Sequence, residues 1–178
     1  MSDALLFFVC LAAALCIRQF IGCAAVVKGR SMLSTLHPRD VMLAVRPPLL
    51  YRHIRRGDIV LCRYPGRYWR NLRFVPQTFV KRVVGLPGDT VQISGGYLYV
   101  NGVKYTEKFL SARMYSDYGP YIVPEGHYFL MGDNRNNSND SRSSHVGAVP
   151  RNMILGKVEA VLWHQIPSTL DDWGLAND

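Results

Sequence analysis

The chain has 178 residues, of which 48% are hydrophobic and 19% are charged, a mixture typical of one globular domain with or without an anchor. Its ten prolines and fifteen glycines follow no period, which excludes collagen-like, solenoid and Pro-rich linker architectures. The formal net charge is +8, and residues 28–82 carry thirteen Lys or Arg side chains against two acids, Asp40 and Asp58. Such concentrated charge suits a surface facing anionic lipid or nucleic-acid phosphates, with a solvated basic face as the alternative.

The chain begins with an apolar run of 14 residues, 4–17, followed by Arg18, Gln19 and a second apolar patch at 20–27. Spanning a bilayer takes roughly 20 residues, so the first run is short for a transmembrane helix. A signal-peptide core is the less favoured alternative, because Met1-Ser2-Asp3 lacks a positive side chain and no Ala-x-Ala site follows. A buried core helix is the other alternative. We expect residues 1–19 to be a membrane anchor.

From residue 26 onward the chain consists of short β-rich runs with a period of two, which predicts a mainly β body. One pair of runs is joined by Asn101-Gly102, a dipeptide that tolerates the positive φ angles of a two-residue hairpin turn. The predicted strands are 41–45, 58–62, 79–84, 90–93, 97–100, 103–105, 127–131 and 154–163.

Two segments, 64–77 and 111–124, are rich in turn-forming residues and are predicted to be loops or insertions. The polar residues after Pro167 predict a weakly ordered tail. The expected organisation is therefore an anchor at 1–19, a β-rich domain at 20–167 and a polar tail at 168–178.

Neither a disulfide framework nor a metal motif is visible in the sequence. Three of the four cysteines, Cys10, Cys16 and Cys23, lie in or beside the apolar start, and only Cys62 lies in the body. C-x-x-C and H-E-x-x-H are both absent, and the five histidines are scattered. We expect no metal and no cofactor.

The first segment that could carry chemistry is Gly29-Arg30-Ser31-Met32, at the junction between the apolar start and the β body. A serine in such a position is most often a turn residue. It is not a nucleophile elbow of the G-x-S-x-G type, because position 33 is leucine.

The second segment places Lys81 and Arg82 in the middle of the apolar run 79–84. Alternate side chains of a strand face opposite sides, so one of the two must point inward. A buried lysine has a lowered pKa, and a neutral lysine is a base. A lysine that extends to solvent from a strand edge is the alternative.

The third segment is the polar run 132–142, Gly-Asp-Asn-Arg-Asn-Asn-Ser-Asn-Asp-Ser-Arg, directly after the apolar strand 127–131. Its composition is typical of a turn or an Asx-rich connection. An internal Asp140/Arg142 pair with several hydroxyls is also how a protein supports a rigid site.

Four motifs follow the apolar segment in this order: G-x-S-M-x-x-T-L, R-G-D-I-V, V-K-R-V-V-G-L-P-G-D and G-D-N-R-N-N-S-N-D-S-R. Together they resemble the motifs of the type I signal peptidase (leader peptidase) family. The resemblance covers residues 4–163. It implies an antiparallel β-sheet or barrel body with one N-terminal transmembrane helix. The implied activity is a membrane-bound serine endopeptidase that removes signal peptides after Ala-x-Ala sites, with preproteins and the lipid bilayer as partners.

Carried over by position, the resemblance implies that Ser31 is the nucleophile and Lys81 the general base. Ser138 matches the family hydroxyl that orients the lysine amine, and Asp140 and Arg142 match an ion pair that braces the loop. The backbone N–H of Ser31 would donate to the oxyanion. Gly29 stands where some members have a serine, so a second oxyanion donor from that side chain is missing.

The resemblance also implies small pockets for the alanine side chains, and an extended substrate beside them. It places the catalytic body outside the cytoplasm, although Arg18, Lys28 and Arg30 lie on the body side of the anchor, against the positive-inside rule. We expect a monomer that does not bind nucleic acid. The implied pocket residues are Val27, Gly29, Met32, Leu36, Phe79 and Val80.

Two other functions are alternatives. A cytosolic self-cleaving protease of the SOS-repressor type uses a similar Ser/Lys pair but lacks the 132–142 loop, and residues 1–25 leave no room for its DNA-binding domain. A non-catalytic β module that binds membrane or nucleic acid through its basic half would not need Ser31, Lys81 and Ser138 together.

Overall fold

The computed structural model describes residues 3–16, 22–45, 54–69, 72–107, 110 and 112–164. It is mainly β, as predicted, with one helix, α1 (Asp3–Cys16), at the start of the chain. No helix among the described residues combines the length and apolar character needed to cross a bilayer. The transmembrane helix expected from the resemblance is therefore not seen.

Within the described ranges eleven strands follow α1 in chain order, and those that pair do so in antiparallel fashion. They are β1 (Gly22–Val26), β2 (Val41–Val45), β3 (Ile59–Trp69), β4 (Leu72–Gly85), β5 (Thr90–Ser94), β6 (Tyr97–Val100), β7 (Val103–Lys104), β8 (Tyr118–Ile122), β9 (His127–Met131), β10 (Val149–Pro150) and β11 (Ile154–Trp163). A short 3-10 turn, Arg151–Met153, lies between the last two strands.

The strands form two sheets. The larger has the order β1-β2-β11-β3-β4-β9-β10 and the smaller the order β7-β6-β5-β8. Strands β2, β6, β9 and β11 begin and end as the alternation of the sequence predicts. The predicted hairpin turn is confirmed, because Asn101 and Gly102 both have positive φ angles, 53° and 77°.

The prediction of loops at 64–77 and 111–124 is wrong, because both segments contain strand residues. Strands β3 and β4 extend far into 64–77 and pair with each other there, for example Tyr68 with Pro76. Strand β8 lies inside 111–124. The patch at 20–27 contains β1, which is a strand that the sequence pattern did not predict. The predicted tail lies outside the described residues.

Three groups of buried side chains hold the sheets together. One lies between the sheets, where Phe129 and Met131 meet Val91 and Ile93. A second lies around Val60, Cys62 and Leu130, and a third unites Val27, Met32, Leu36, Met42, Ala44 and Leu61. The third group lies directly beneath the turn that contains Ser31.

Candidate active site

Ser31 lies on a tight turn that follows β1. The turn is closed by backbone hydrogen bonds from Thr35 N–H and Leu36 N–H to the Met32 carbonyl, at 2.8 and 2.7 Å. Gly29 enters the turn with a φ of 90°, a conformation that favours glycine. Met32 and Leu36 are buried, so they anchor the turn while Ser31 stays partly exposed.

The polar loop 132–142 holds the Ser31 turn from the other side. Asn134 N–H donates to the Ser31 carbonyl at 3.0 Å, and its side-chain amide donates to the Arg30 carbonyl at 3.2 Å. The backbone on both sides of the Ser31 nitrogen is therefore fixed by one asparagine. The role of Asn134 has no local signal in the sequence, because its partners lie about a hundred positions earlier in the chain.

Lys81 projects from β4 into the protein, with 2% of its surface exposed. Its Nζ lies 2.5 Å from Ser31 Oγ, within hydrogen-bond distance. Burial lowers the pKa of Lys81, and the nearby Asp140 carboxylate offsets part of that effect. The Cys62 thiol beside it stays protonated near neutral pH, because burial raises the pKa of Cys62 to about 12.

Arg82 points to the opposite side of β4 and fixes the strand to the Ser31 turn. It pairs with both carboxylate oxygens of Asp133, at 2.8 and 2.6 Å, and donates to the Gly57 carbonyl at 2.7 Å. The Thr35 hydroxyl donates to the same carboxylate at 2.6 Å. This Thr35–Asp133–Arg82 chain links the serine turn to the lysine strand, and the sequence pattern did not predict this role for any of the three residues.

Asp140 and Arg142 form the ion pair that the resemblance implied, with Arg142 Nε and Nη2 at 2.8 and 2.9 Å from the carboxylate. Arg142 also donates to the Arg135 carbonyl at 2.6 Å, and Gly132 N–H donates to Asp140 at 3.0 Å. Burial alone would raise the pKa of Asp140, but Arg142 and Gly132 outweigh it, and the pKa is lowered. The carboxylate therefore stays charged near Lys81.

Ser138 lies in the same loop with its Oγ buried. It forms no hydrogen bond of normal geometry with the described residues, but it lies close enough to the Asp140 carboxylate to help lower the pKa of Asp140. The structure does not join it to Lys81. Its neighbour is Gly132, where an added Cβ would overlap both Ser138 Oγ and the Ser31 carbonyl oxygen. Glycine at 132 is what lets the loop approach the serine turn so closely.

Beside Ser31 the surface opens into a cleft of about 450 Å³. Leu36 is not part of its lining and lies in the core below, against Val27 and Met32. Ala25, Lys28, Met42, Leu61, Gln77 and Thr78 also line the cleft and were not foreseen. The implied pocket residues that do line it are Val27, Gly29, Met32, Phe79 and Val80.

The wall of the cleft is supported from behind by Tyr64. Its ring stacks on Phe79 at a centroid distance of 4.3 Å, and its hydroxyl donates to the Asn139 carbonyl at 3.3 Å. Tyr64 therefore connects the cleft wall to the loop that carries Ser138 and Asp140.

A family model and several known proteins are similar to this chain. The family model for "Signal peptidase, peptidase S26" matches residues 2–163. A signal peptidase I of Leptolyngbya laminosa is 35% identical over 150 residues, which is 84% of this chain and 73% of the relative. Signal peptidase I S of Bacillus subtilis strain 168 is 37% identical over 161 residues, covering 84% and 82%.

A solved structure is also similar. The crystal structure of a signal peptidase I from Enterococcus faecalis V583 shares 30% sequence identity with this chain at a TM-score of 0.50. The match covers 60% of this chain and 97% of that one.

Proposed function

We propose, from the premise that the chain belongs to the signal peptidase family of S26 peptidases, that Ser31 and Lys81 form its catalytic pair. The chain is a serine endopeptidase that removes signal peptides, and its fold is signal-peptidase-like. The observation that carries the proposal is the 2.5 Å contact between Lys81 Nζ and Ser31 Oγ. A nucleophile and a base in hydrogen-bond reach are what covalent catalysis requires.

The reaction begins with proton transfer. Neutral Lys81 accepts the Ser31 hydroxyl proton as Ser31 Oγ bonds to the scissile carbonyl carbon, and the same proton then passes to the leaving amine as the peptide bond breaks. Lys81 then deprotonates a water molecule that bonds to the acyl carbon, and the same proton passes to Ser31 Oγ as the ester bond between Oγ and the acyl group breaks. An unperturbed lysine is only ~0.1% neutral or less near pH 7, so burial, which lowers the pKa of Lys81, is essential to the mechanism.

Charge on the carbonyl oxygen needs hydrogen-bond donors in the transition state. The Ser31 N–H is our candidate for the first donor, because the flanking carbonyls of Arg30 and Ser31 are both held by Asn134. Gly29 offers no side chain, so a second donor comes from backbone or water.

Three residues of the polar loop support the base. Asp140 and Arg142 hold the loop in shape through their ion pair. We assign Ser138 to the orientation of the lysine amine: its buried hydroxyl lies beside Asp140 in the loop braced by this pair, and a hydroxyl that donates to a carboxylate still has lone pairs that accept from a lysine N–H.

The substrate binds in the cleft as an extended strand. Strand β1 is the edge strand at one end of the larger sheet. Strand β4 pairs with β9 only from Arg82 onward, so among the described strands the β9-facing edge of residues 77–80 is also open. A peptide strand adds to such edges through backbone hydrogen bonds. The cleft lining includes the apolar side chains of Val27, Met32 and Phe79, and we assign it to the small alanine side chains of an Ala-x-Ala site.

The enzyme acts at the cell membrane, with α1 and its flanking residues as a single anchor and the catalytic domain on the extracytoplasmic side. The apolar side chains of α1, from Leu5 to Leu11, are largely exposed, as in a segment that lies in lipid. The basic stretch 28–82 adds attraction to anionic head groups. The enzyme works as a monomer.

Extraction from membranes by detergent but not by high salt would support the anchor, and release by salt alone would contradict it.

The test of the activity uses the full chain in detergent and a preprotein with an Ala-x-Ala site. Mass spectrometry of the product should place its new N-terminus directly after the second alanine. Ser31→Ala should lose activity by a factor of about 1000 or more. Ser34→Ala is the matched control, because Ser34 is exposed on the same turn, and it should keep the wild-type rate. A Ser31→Ala variant that cleaves normally would overturn the proposal.

A further inference from the structure

One group of metal-ligating side chains lies outside the catalytic site. His37, Asp40 and His164 each offer one ligand atom, and these atoms all lie within 4.8 Å of one another. His37 and Asp40 belong to the turn that ends the Ser31 segment, and His164 follows the last residue of β11.

Asp40 is the fixed centre of the group. It is completely buried, and its Oδ2 accepts a hydrogen bond from the His37 backbone N–H at 2.9 Å. The same oxygen lies 3.1 Å from His164 Nδ1 and 3.9 Å from His37 Nδ1. A hydrogen bond to a ligating carboxylate is the usual support of a metal ligand, because it fixes the direction of the oxygen.

The 3.1 Å spacing between Asp40 and His164 is close to that between two ligands of a tetrahedral zinc ion, and the 3.9 Å spacing between Asp40 and His37 is longer, so His37 would move slightly inward to complete the site. With Zn–N and Zn–O bonds of about 2.0–2.1 Å, neighbouring ligand atoms are about 3.3 Å apart. We propose that His37, Asp40 and His164 form a site for Zn²⁺ or a similar first-row divalent ion. Three protein ligands leave the fourth position to water, and His164, with 59% of its side chain exposed, lies at the solvent side.

The site would act on the cleft through the backbone. Val27 N–H donates to the Asp40 carbonyl, and Arg39 N–H donates to the Val27 carbonyl, both at 2.9 Å. Val27 lines the cleft, so a metal at Asp40 would fix one cleft wall to the end of β11. This is a structural role, since none of the three ligands touches Ser31 or Lys81 in the described contacts.

The proposal revises the sequence-based expectation of no metal. That expectation was drawn from the absence of short-range ligand motifs, whereas His164 lies 124 positions after Asp40 and reaches it only because β11 pairs with β2 beside the turn. The pairing of Trp163 with Val41 sets this approach.

The test measures binding and does not depend on peptidase activity. The chelator-treated full chain in detergent is titrated with ZnCl₂ against a colorimetric zinc indicator, and separately with CoCl₂, whose visible spectrum reports tetrahedral coordination. We expect one equivalent of Zn²⁺, a raised melting temperature and a tetrahedral Co²⁺ spectrum. His164→Asn and His37→Asn should each weaken binding more than about tenfold and remove the thermal shift.

His145→Asn is the matched control, because His145 is an exposed histidine of the polar loop region outside the group. It should bind Zn²⁺ like the wild type. The proposal is overturned if the wild-type chain binds no equivalent of Zn²⁺, or if both His164→Asn and His37→Asn bind as tightly as the control. Asp40 is left unchanged, since its replacement would also disturb the turn.

Discussion

Lys81 Nζ lies 2.5 Å from Ser31 Oγ, although 50 positions separate the two residues in the chain. Two supports produce this contact. Met32 and Leu36 are buried beneath the serine turn, and the Thr35–Asp133–Arg82 chain joins that turn to the strand that carries Lys81. The contact is therefore a property of the packed fold, and the predictions below test the parts that maintain it.

Activity should depend on pH through Lys81. Burial lowers the pKa of this lysine, and only its neutral form accepts a proton, so kcat/KM should rise as pH rises through that lowered pKa. The apparent pKa of the acid limb of the pH–rate profile should lie below the pKa of an ordinary lysine, and the slope of that limb should correspond to the loss of one proton. A pH–rate profile on a preprotein substrate measures it, and a flat profile from about pH 5 to 9 would contradict a lysine base.

Ser138→Ala should lower kcat while leaving KM unchanged, because the proposed role of this hydroxyl is to orient the lysine amine. A loss of about tenfold corresponds to one ordinary hydrogen bond. Ser138→Thr should recover part of the rate, since it keeps the hydroxyl. Ser143→Ala serves as the control in the following turn. If Ser138→Ala turned over at the control rate, its hydroxyl would have no part in the reaction.

Thr35→Val should reduce kcat by about tenfold to a hundredfold, which corresponds to the roughly 1.5–3 kcal/mol of one lost hydrogen bond to a charged group. The valine keeps the shape of the side chain but removes the 2.6 Å bond to Asp133, so the serine turn loses one support against the lysine strand. Thr35→Ser should restore the rate, whereas Thr106→Val, at an exposed position, should not alter it. A change confined to KM would point to the cleft instead.

Gly132→Ala should impair both stability and activity. The added methyl group would overlap Ser138 Oγ and the Ser31 carbonyl oxygen, and the carbonyl cannot move without displacing the serine. We expect a loss of about 1–3 kcal/mol in the free energy of unfolding and a large fall in kcat. Gly126→Ala is a comparison with positive φ but open space, and should lose stability while keeping its rate. Equal kcat for both variants would argue against the tight approach.

The sequence predicted the elements whose signals are local. Strands β2, β6, β9 and β11 follow the alternation of their residues, and the Asn101-Gly102 turn follows from backbone preferences. The long β3–β4 hairpin was missed because Pro65, Gly66 and Pro76 favour a loop. The hairpin tolerates them because Pro65 and Gly66 lie in the interruption of the pairing between Arg63 and Tyr68, and Pro76 lies opposite Tyr68, where the pairing resumes.

The site was predictable only in part. Ser31, Lys81 and the Asp140/Arg142 pair stand in recognisable local motifs, so resemblance located them. Contacts between motifs carry no local signal: Asp133 and Thr35 lie 98 positions apart and meet because two loops pack together. A local motif can also mislead. Leu36 lies in the motif of the serine turn, but its apolar side chain is equally compatible with the cleft lining and with the core.

The most direct test of the account is the activity of Lys81→Arg. Arginine keeps the positive charge and the hydrogen-bond donors, but it does not lose its proton in a protein. The rate of preprotein cleavage is measured for this variant and for Lys104→Arg, a control in the smaller sheet, with folding checked by thermal melting. The account predicts that Lys81→Arg falls about 1000-fold or more while the control keeps its rate. A folded Lys81→Arg enzyme with near-normal cleavage would contradict the claim that a neutral lysine is the base.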